Sequence, residues 1–269
     1  MRAEKFYPES NNLSVAWAQS FLKSMTRGIS ELSPLVVTVS DIDNGIVNED
    51  TEIRGLIDNF INQINSDPTP SKKILNCHSV ANTLFPLSMW NPDLPDDATA
   101  LYKRYEKAWP TIKKCPQNKF GSYFRRLTAF QPDESFKPVN QLKHIANTYN
   151  NEENHRRSAL QASVFDPLLD HSNSRQKGFP CLQQVAFAPV ENNTGLSITG
   201  FYATQYLLDR AYGNYLGLCR LGRFMAKQLD MNFVRMTCIA SVAKIGTPSK
   251  KQLRPLENEL RMLLARREN

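Results

Sequence analysis

The sequence predicts a mixed α/β domain, and three observations carry that prediction. Apolar residues recur at helical spacing in several segments, short runs rich in β-branched and aromatic residues stand between them, and Asn192-Asn193-Thr194-Gly195 joins two such runs as a hairpin turn. Hydrophobic residues make up 41% and charged residues 22% of the chain, with 11 Gly and 16 Pro, which excludes collagenous, repeat and largely disordered architectures. One domain over residues 1–269 is expected. No apolar run approaches the roughly 20 residues of a membrane-spanning helix, and Met1-Arg2-Ala3-Glu4 does not open a signal-peptide layout, so a cytoplasmic protein with no membrane partner is expected.

Taken in order, Trp17, Phe21, Leu22 and Met25 predict a helix, and Leu35-Val36-Val37-Thr38-Val39 a strand. Ile53, Leu56, Ile57, Phe60 and Ile61 give a second helix, ended by a proline-rich loop over Ser66–Ser71. A loop over Asn91–Asp97 precedes a helix from Ala98 to Trp109, which Pro110 is expected to stop. Beyond a polar, proline-punctuated stretch at 131–138, Val139–Ala146 reads as helix and Ala159–Phe165 as strand. Cys181–Phe187 and Ser197–Tyr202 are the two strands of the hairpin. Tyr215, Leu218, Leu221, Gly222, Met225 and Leu229 share one helix face, Val234–Val242 is a further strand, and Lys250–Asn269 is an amphipathic helix with a solvated basic face.

Lys plus Arg number 33 against 26 acids, a formal charge of +7 that favours anionic ligands, nucleotide and nucleic acid alike. The basic residues are dispersed and no nucleic-acid-reading motif is present, so a nucleic-acid partner is the lowest-ranked reading. The cysteines, Cys77, Cys115, Cys181, Cys219 and Cys238, contain no C-x-x-C pair, so neither a metal site nor a disulfide framework is expected. Among them Cys181 stands out. It follows Gly178-Phe179-Pro180 at the start of a strand, after a loop carrying Arg175 and Lys177, a setting that suits a reactive thiol; the plain alternative is a buried apolar filler.

Read with its flanks, this segment resembles the thymidylate synthase family, which includes the pyrimidine hydroxymethylases. Pro180-Cys181-Leu182 is similar to the family's Pro-Cys-His, and Leu196-Ser197-Ile198-Thr199-Gly200-Phe201-Tyr202-Ala203-Thr204 to its Leu-Ser-Leu-Gln-Leu-Tyr-Gln-Arg-Ser. Counting on from Leu196 without a gap puts Asn214 where the family places its base-reading asparagine. Upstream, Asn140-Gln141-Leu142, His155-Arg156-Arg157, Ser163-Val164-Phe165-Asp166-Pro167 and Phe120-Gly121-Ser122-Tyr123 follow the family's order, with two extra residues after the arginines. The likeness covers Phe120 to Gly246. The domain thus divides into a divergent N-terminal part, 1–110, a best-matched core, 111–246, and a C-terminal amphipathic helix, 247–269.

The resemblance implies a twisted, mostly antiparallel sheet with helices on one face, its other face packing on a second copy in a homodimer. It implies that the Cys181 thiolate adds to C6 of a pyrimidine, activating C5 toward a one-carbon unit carried by methylenetetrahydrofolate. Asn214 would read a uracil-type base, its plain alternative being a helix N-cap. Arg156 and Arg157 would hold the nucleotide phosphate, reaching into the neighbouring subunit, or else form a solvated basic turn; Thr204 would add a hydroxyl to that phosphate.

Five departures lead away from folate chemistry. The arginine that accompanies the family serine falls on Ala203, the pterin-holding aspartate on Tyr206, and the ribose-contacting His-Ile-Tyr on Lys244-Ile245-Gly246, where Lys244 remains as a cation for a phosphate or acid. The early glutamate of the proton relay has no counterpart in His78–Phe85, where Asn82 is the nearest polar substitute, and a helix replaces the small apolar C-terminal tail. Two functions follow: a one-carbon transferase working through a Cys181 adduct on a pyrimidine nucleotide, or a binding or assembly protein that keeps the scaffold without turnover.

Overall fold

The computed structural model describes residues 2–67, 73–118, 120–132, 135–151, 156–171, 173 and 179–267. Strands β1 (Arg2–Phe6) and β2 (Glu9–Ser10) precede helix α1 (Leu13–Met25), strand β3 (Ile29–Val39) and helices α2 (Thr51–Ser66), α3 (Cys77–Leu84), α4 (Asp97–Ile112), α5 (Tyr123–Thr128) and α6 (Gln141–Asn151). Then come β4 (Gln161–Ser163), the short α7 (Pro167–Asp170), β5 (Leu182–Val190), β6 (Gly195–Tyr206), a π-helical turn (Leu207–Ala211), α8 (Tyr212–Gln228), β7 (Asn232–Lys244) and α9 (Arg254–Ala265).

The strands form one sheet in the order β1-β3-β7-β6-β5-β4, with β2 also on β3, so strands from the two ends of the sequence share it. It is evenly mixed rather than mostly antiparallel: β1 and β2 run parallel to β3 and β6 parallel to β7, while the β3/β7, β5/β6 and β4/β5 pairs are antiparallel. The reason is topological. A strand followed by a helix that crosses back over the sheet returns to its neighbour in the same direction, and α8 is that crossover between β6 and β7. Helices α1 and α8 cover one face, packing on β3, β6 and β7. On the other face, two cross-strand rows stand exposed or half-buried: Thr38, Thr237, Thr199, Ala186 and Gln161, and Val36, Ile239, Phe201, Gln184 and Ser163.

Element boundaries depart from expectation where tertiary contacts act. α4 runs through Pro110 to Ile112, because the ring sits in the last turn and costs a single backbone bond there. The strand expected at 35–39 starts at Ile29, and the one expected at 159–165 shrinks to Gln161–Ser163 beside a 3₁₀ turn at Arg157–Ala159. α6 starts at Gln141, since Val139 is taken by a bridge to Phe130. The loop expected at Ser66–Ser71 lies partly outside the described residues, and His155, Arg175 and Lys177 lie outside them. Trp17 is fully buried in α1 and its Nε1 donates to the Leu207 carbonyl at 2.8 Å, which ties the first helix to the π turn. Among the described residues no helix is long and apolar enough to cross a membrane.

Candidate active site

A cavity of about 300 Å³ opens at the carboxyl ends of β6 and β7, where the chain leaves a parallel strand pair and such folds most often hold ligands. Its walls come from separate parts of the sequence: Val80 and Thr83 of α3, Tyr123 of α5, Phe179 and Cys181 before β5, Thr204 to Tyr206 at the end of β6, Asp209 and Arg210 of the π turn, and Asn214 of α8. Cys181, Thr204 and Asn214 thus line one space.

Local packing sets each of these groups. Ala203 N donates to the Cys181 carbonyl at 3.0 Å, so the hairpin ladder carries the thiol to the cavity edge, half-buried. Burial pushes the thiol pKa up, and the Arg210 guanidinium opposes that rise. Arg210 has no carboxylate partner among the described residues, which leaves a cation facing the cavity beside the sulfur. Ser122 caps α5 by accepting from Arg125 N at 3.2 Å and pairs with the Tyr105 hydroxyl at 2.6 Å, which fixes the adjacent Tyr123. Tyr123 stacks on Phe179 with centroids 5.4 Å apart, and the Arg126 guanidinium lies 5.5 Å from the Phe179 ring. Arg126 is held in turn by Asp170 at 2.9 Å, a pair largely out of solvent. Gln141, from the motif read as Asn-Gln-Leu, is structural: it accepts from Ser163 N and donates to the carbonyls of Arg126 and Ser163, tying α6 to β4 and α5.

Asn214 lies in the first turn of α8, and the residue preceding that helix is Ala211, which makes no side-chain cap. The N-cap alternative is therefore overturned. The residue is 3% exposed and lines the cavity, and its carboxamide makes no hydrogen bond among the described residues. Its amide atoms are not sealed from the cavity, so they are open to a polar ligand there.

Other expected site residues fall elsewhere. Asn82 is exposed and its Oδ1 accepts from Arg220 at 3.1 Å; at 100° per residue, α3 turns Val80 and Thr83 toward the cavity and Asn82 toward α8. Lys244 is half exposed and stands 3.8 Å from Glu31, because strand alternation buries Ala243 and turns its neighbour outward. Thr247, three residues on, reaches the cavity instead. Arg156 and Arg157 are exposed and outside the cavity of their own chain.

Arg210, Gln205 and Thr247 line the cavity without having been expected there. A signal for Arg210 existed: a lone charged pair, Asp209-Arg210, interrupts the apolar run Leu207-Leu208…Ala211. The π turn that carries the pair is a form that recurs at functional sites. Asp209 holds the loop after β7 by accepting from Thr247 N at 3.1 Å and Thr247 Oγ1 at 2.5 Å. Gly246 permits this with φ +126°; a Cβ there would stand 2.4 Å from Asp209 Oδ1.

Toward a folate, the cavity offers Asp209 as its carboxylate among the described residues, each oxygen of which already accepts a hydrogen bond from Thr247, and its volume lies at the lower end of small-molecule sites. Among the described residues no group of three or more His, Cys, Asp and Glu side chains could hold a metal ion. Comparison of the whole chain with protein-family models and with curated proteins finds no match.

Proposed function

We propose that the chain binds a uracil-type pyrimidine nucleotide in this cavity and activates it at C5 through a covalent bond from Cys181, as a divergent transferase of the thymidylate synthase kind. The observation that carries the reading is the convergence of Cys181, Thr204 and Asn214, 33 positions apart at the extremes (214 − 181), on one cavity. The resemblance assigned those three residues to one ligand. Attack of the sulfur on C6 forms the C–S bond, moves the C5–C6 π pair onto C5 and O4 as an enolate, and releases the thiol proton to solvent. Asn214 stabilises the enolate by donating to O4, and Arg210 favours the thiolate. Protonation of C5 from solvent, loss of the original C5 proton to solvent to re-form the enolate, and expulsion of the sulfur as thiolate then exchange the C5 hydrogen, so the exchange needs no second substrate. The anionic end of the nucleotide is met by Thr204 and Arg210, with Lys73 also on the cavity wall. Arg156 and Arg157, exposed on their own subunit, fit the part of a phosphate grip offered to a neighbour in a homodimer.

The test is intact mass after mixing with 5-fluoro-dUMP, together with deuterium exchange at C5 of dUMP. An adduct of one nucleotide, lost in Cys181→Ser while noncovalent dUMP binding persists, is the expected result. The second reading, a nucleotide-binding or assembly protein without turnover, is favoured by the burial that pushes the thiol pKa up and by the Thr247 hydrogen bonds to Asp209, the carboxylate that lines the cavity among the described residues. Calorimetric binding of dUMP with neither adduct nor exchange would decide for it; no dUMP binding at all sinks both.

A further inference from the structure

Among the described residues three carboxamides line the cavity; Asn118 donates to the Ile112 carbonyl at 3.1 Å, and the other two, Asn214 and Gln205, are not equivalent. With no other hydrogen bond among the described residues, Asn214 is open to both amide flips. One flip matches N3–H and O4 of a uracil, the other N3 and the 4-amino group of a cytosine. An asparagine at this place therefore does not choose the base by itself.

Gln205 is held in one orientation. It is 2% exposed, its Oε1 accepts from the Tyr215 hydroxyl at 3.1 Å, and its Nε2 donates to Cys238 Sγ at 3.5 Å. Turning the amide over would leave the fully buried Tyr215 O–H without an acceptor, at a cost of about 1–3 kcal/mol, and would set the carbonyl against a thiol, a weak donor. One Nε2–H is left, on a residue that lines the cavity.

We infer that Gln205 is the specificity-determining residue of this site: it offers a fixed N–H donor to the second lone pair of a 4-oxo oxygen and so selects a uracil-type ring over a 4-amino ring. The inference rests on the nucleotide reading above. An amino group at that place sets donor against donor in a buried site, and Asn214 cannot relieve the conflict by flipping. A carbonyl oxygen, with two lone pairs, takes Asn214 and Gln205 together.

The experiment is calorimetric titration of dUMP and dCMP into the wild type, Gln205→Glu and Tyr215→Phe, reading the ratio of the two affinities. The wild type is expected to favour dUMP by at least about tenfold, the loss set by an unpaired buried polar group. Q205E keeps an acceptor for Tyr215 but offers the ligand a second acceptor, so its ratio should fall below one; its added charge weakens both nucleotides alike and leaves the ratio readable. Y215F releases the amide to flip, and its ratio should fall to within about threefold of unity. If Q205E does not fold, Y215F alone keeps the test, since it removes the O–H that needs an acceptor and leaves the Gln205 carbonyl oxygen free to turn toward the cavity. A wild-type ratio near one, or a ratio unmoved in both variants, overturns the inference while leaving nucleotide binding in place. Binding of neither nucleotide to the wild type overturns the functional reading and the inference with it.

Discussion

Cys181 and Arg210 form a pair whose chemistry can be read through pH. The folded chain favours the neutral thiol because burial disfavours the charged form, and Arg210 pulls in the opposite direction. Removing the guanidinium leaves burial unopposed and moves thiolate formation to higher pH. In a Cys115→Ser background, which removes the exposed thiol, Arg210→Ala is expected to slow iodoacetamide alkylation of Cys181 at pH 7.5 by a few-fold to about tenfold and to shift the rate profile toward alkaline pH. An unchanged profile would separate Arg210 from the sulfur. The same shift has a sign for stability: a thiol raised in the folded state stabilises the fold fully below its unfolded pKa, and that contribution is lost as pH rises through the folded value.

Helices α3 and α8 set the cavity between them, and a glycine sets their distance. At Gly213 a Cβ would stand 2.5 Å from Val80 Cβ and 2.6 Å from the Cys77 carbonyl, so the two backbones touch where Val80 and Thr83 of one helix and Asn214 of the other face the ligand. Gly213→Ala is expected to push the helices apart, costing about 1–3 kcal/mol in chemical denaturation and weakening dUMP binding beyond that loss, since the Asn214 amide moves with its helix. Stability lowered with binding intact would free the base-reading role from this packing. The three-layer stack of Tyr123, Phe179 and Arg126 is a second such support. Arg126→Met breaks the buried pair with Asp170, for which a loss of about 3–5 kcal/mol is expected from thermal or urea unfolding.

Across the whole molecule, one face of the sheet is packed by helices and the other presents Val36, Ile239 and Phe201 in one lateral row, half-buried in the single chain. The homodimer proposed with the function has this face at its interface, with Arg156 and Arg157 completing a neighbour's site. Sedimentation equilibrium is expected to give a dimer at micromolar concentration, and the double variant Phe201→Asp, Ile239→Asp a folded monomer, because charges paired across such a face bear the desolvation cost. A monomeric wild type would remove the shared-site picture and leave the cavity of each chain to act alone.

How much of this was legible beforehand differs by residue. Helices α1, α2, α8 and α9 announced themselves because one apolar stripe repeated over several turns, and the β5/β6 hairpin because Asn192–Gly195 suits a tight reversal. Cys181 was read from its Gly178-Phe179-Pro180 setting and, with Thr204 and Asn214, from the family resemblance; the three line one cavity, since spacing along a hairpin and its following helix is a property of the chain itself. Asn82 and Lys244 were misplaced because helix phase and strand side follow from contacts with other elements: α3 is rotated by its packing on α8, and β7 by its place in the sheet.

The sequence by itself determined the elements, the thiol and the amide that the proposed function rests on. Only the tertiary structure decided the parallel β6/β7 pair, the arrival of Arg210 on a π turn and the locking of Gln205 by Tyr215, because each depends on which distant groups share a desolvated space, and local periodicity carries no information about that.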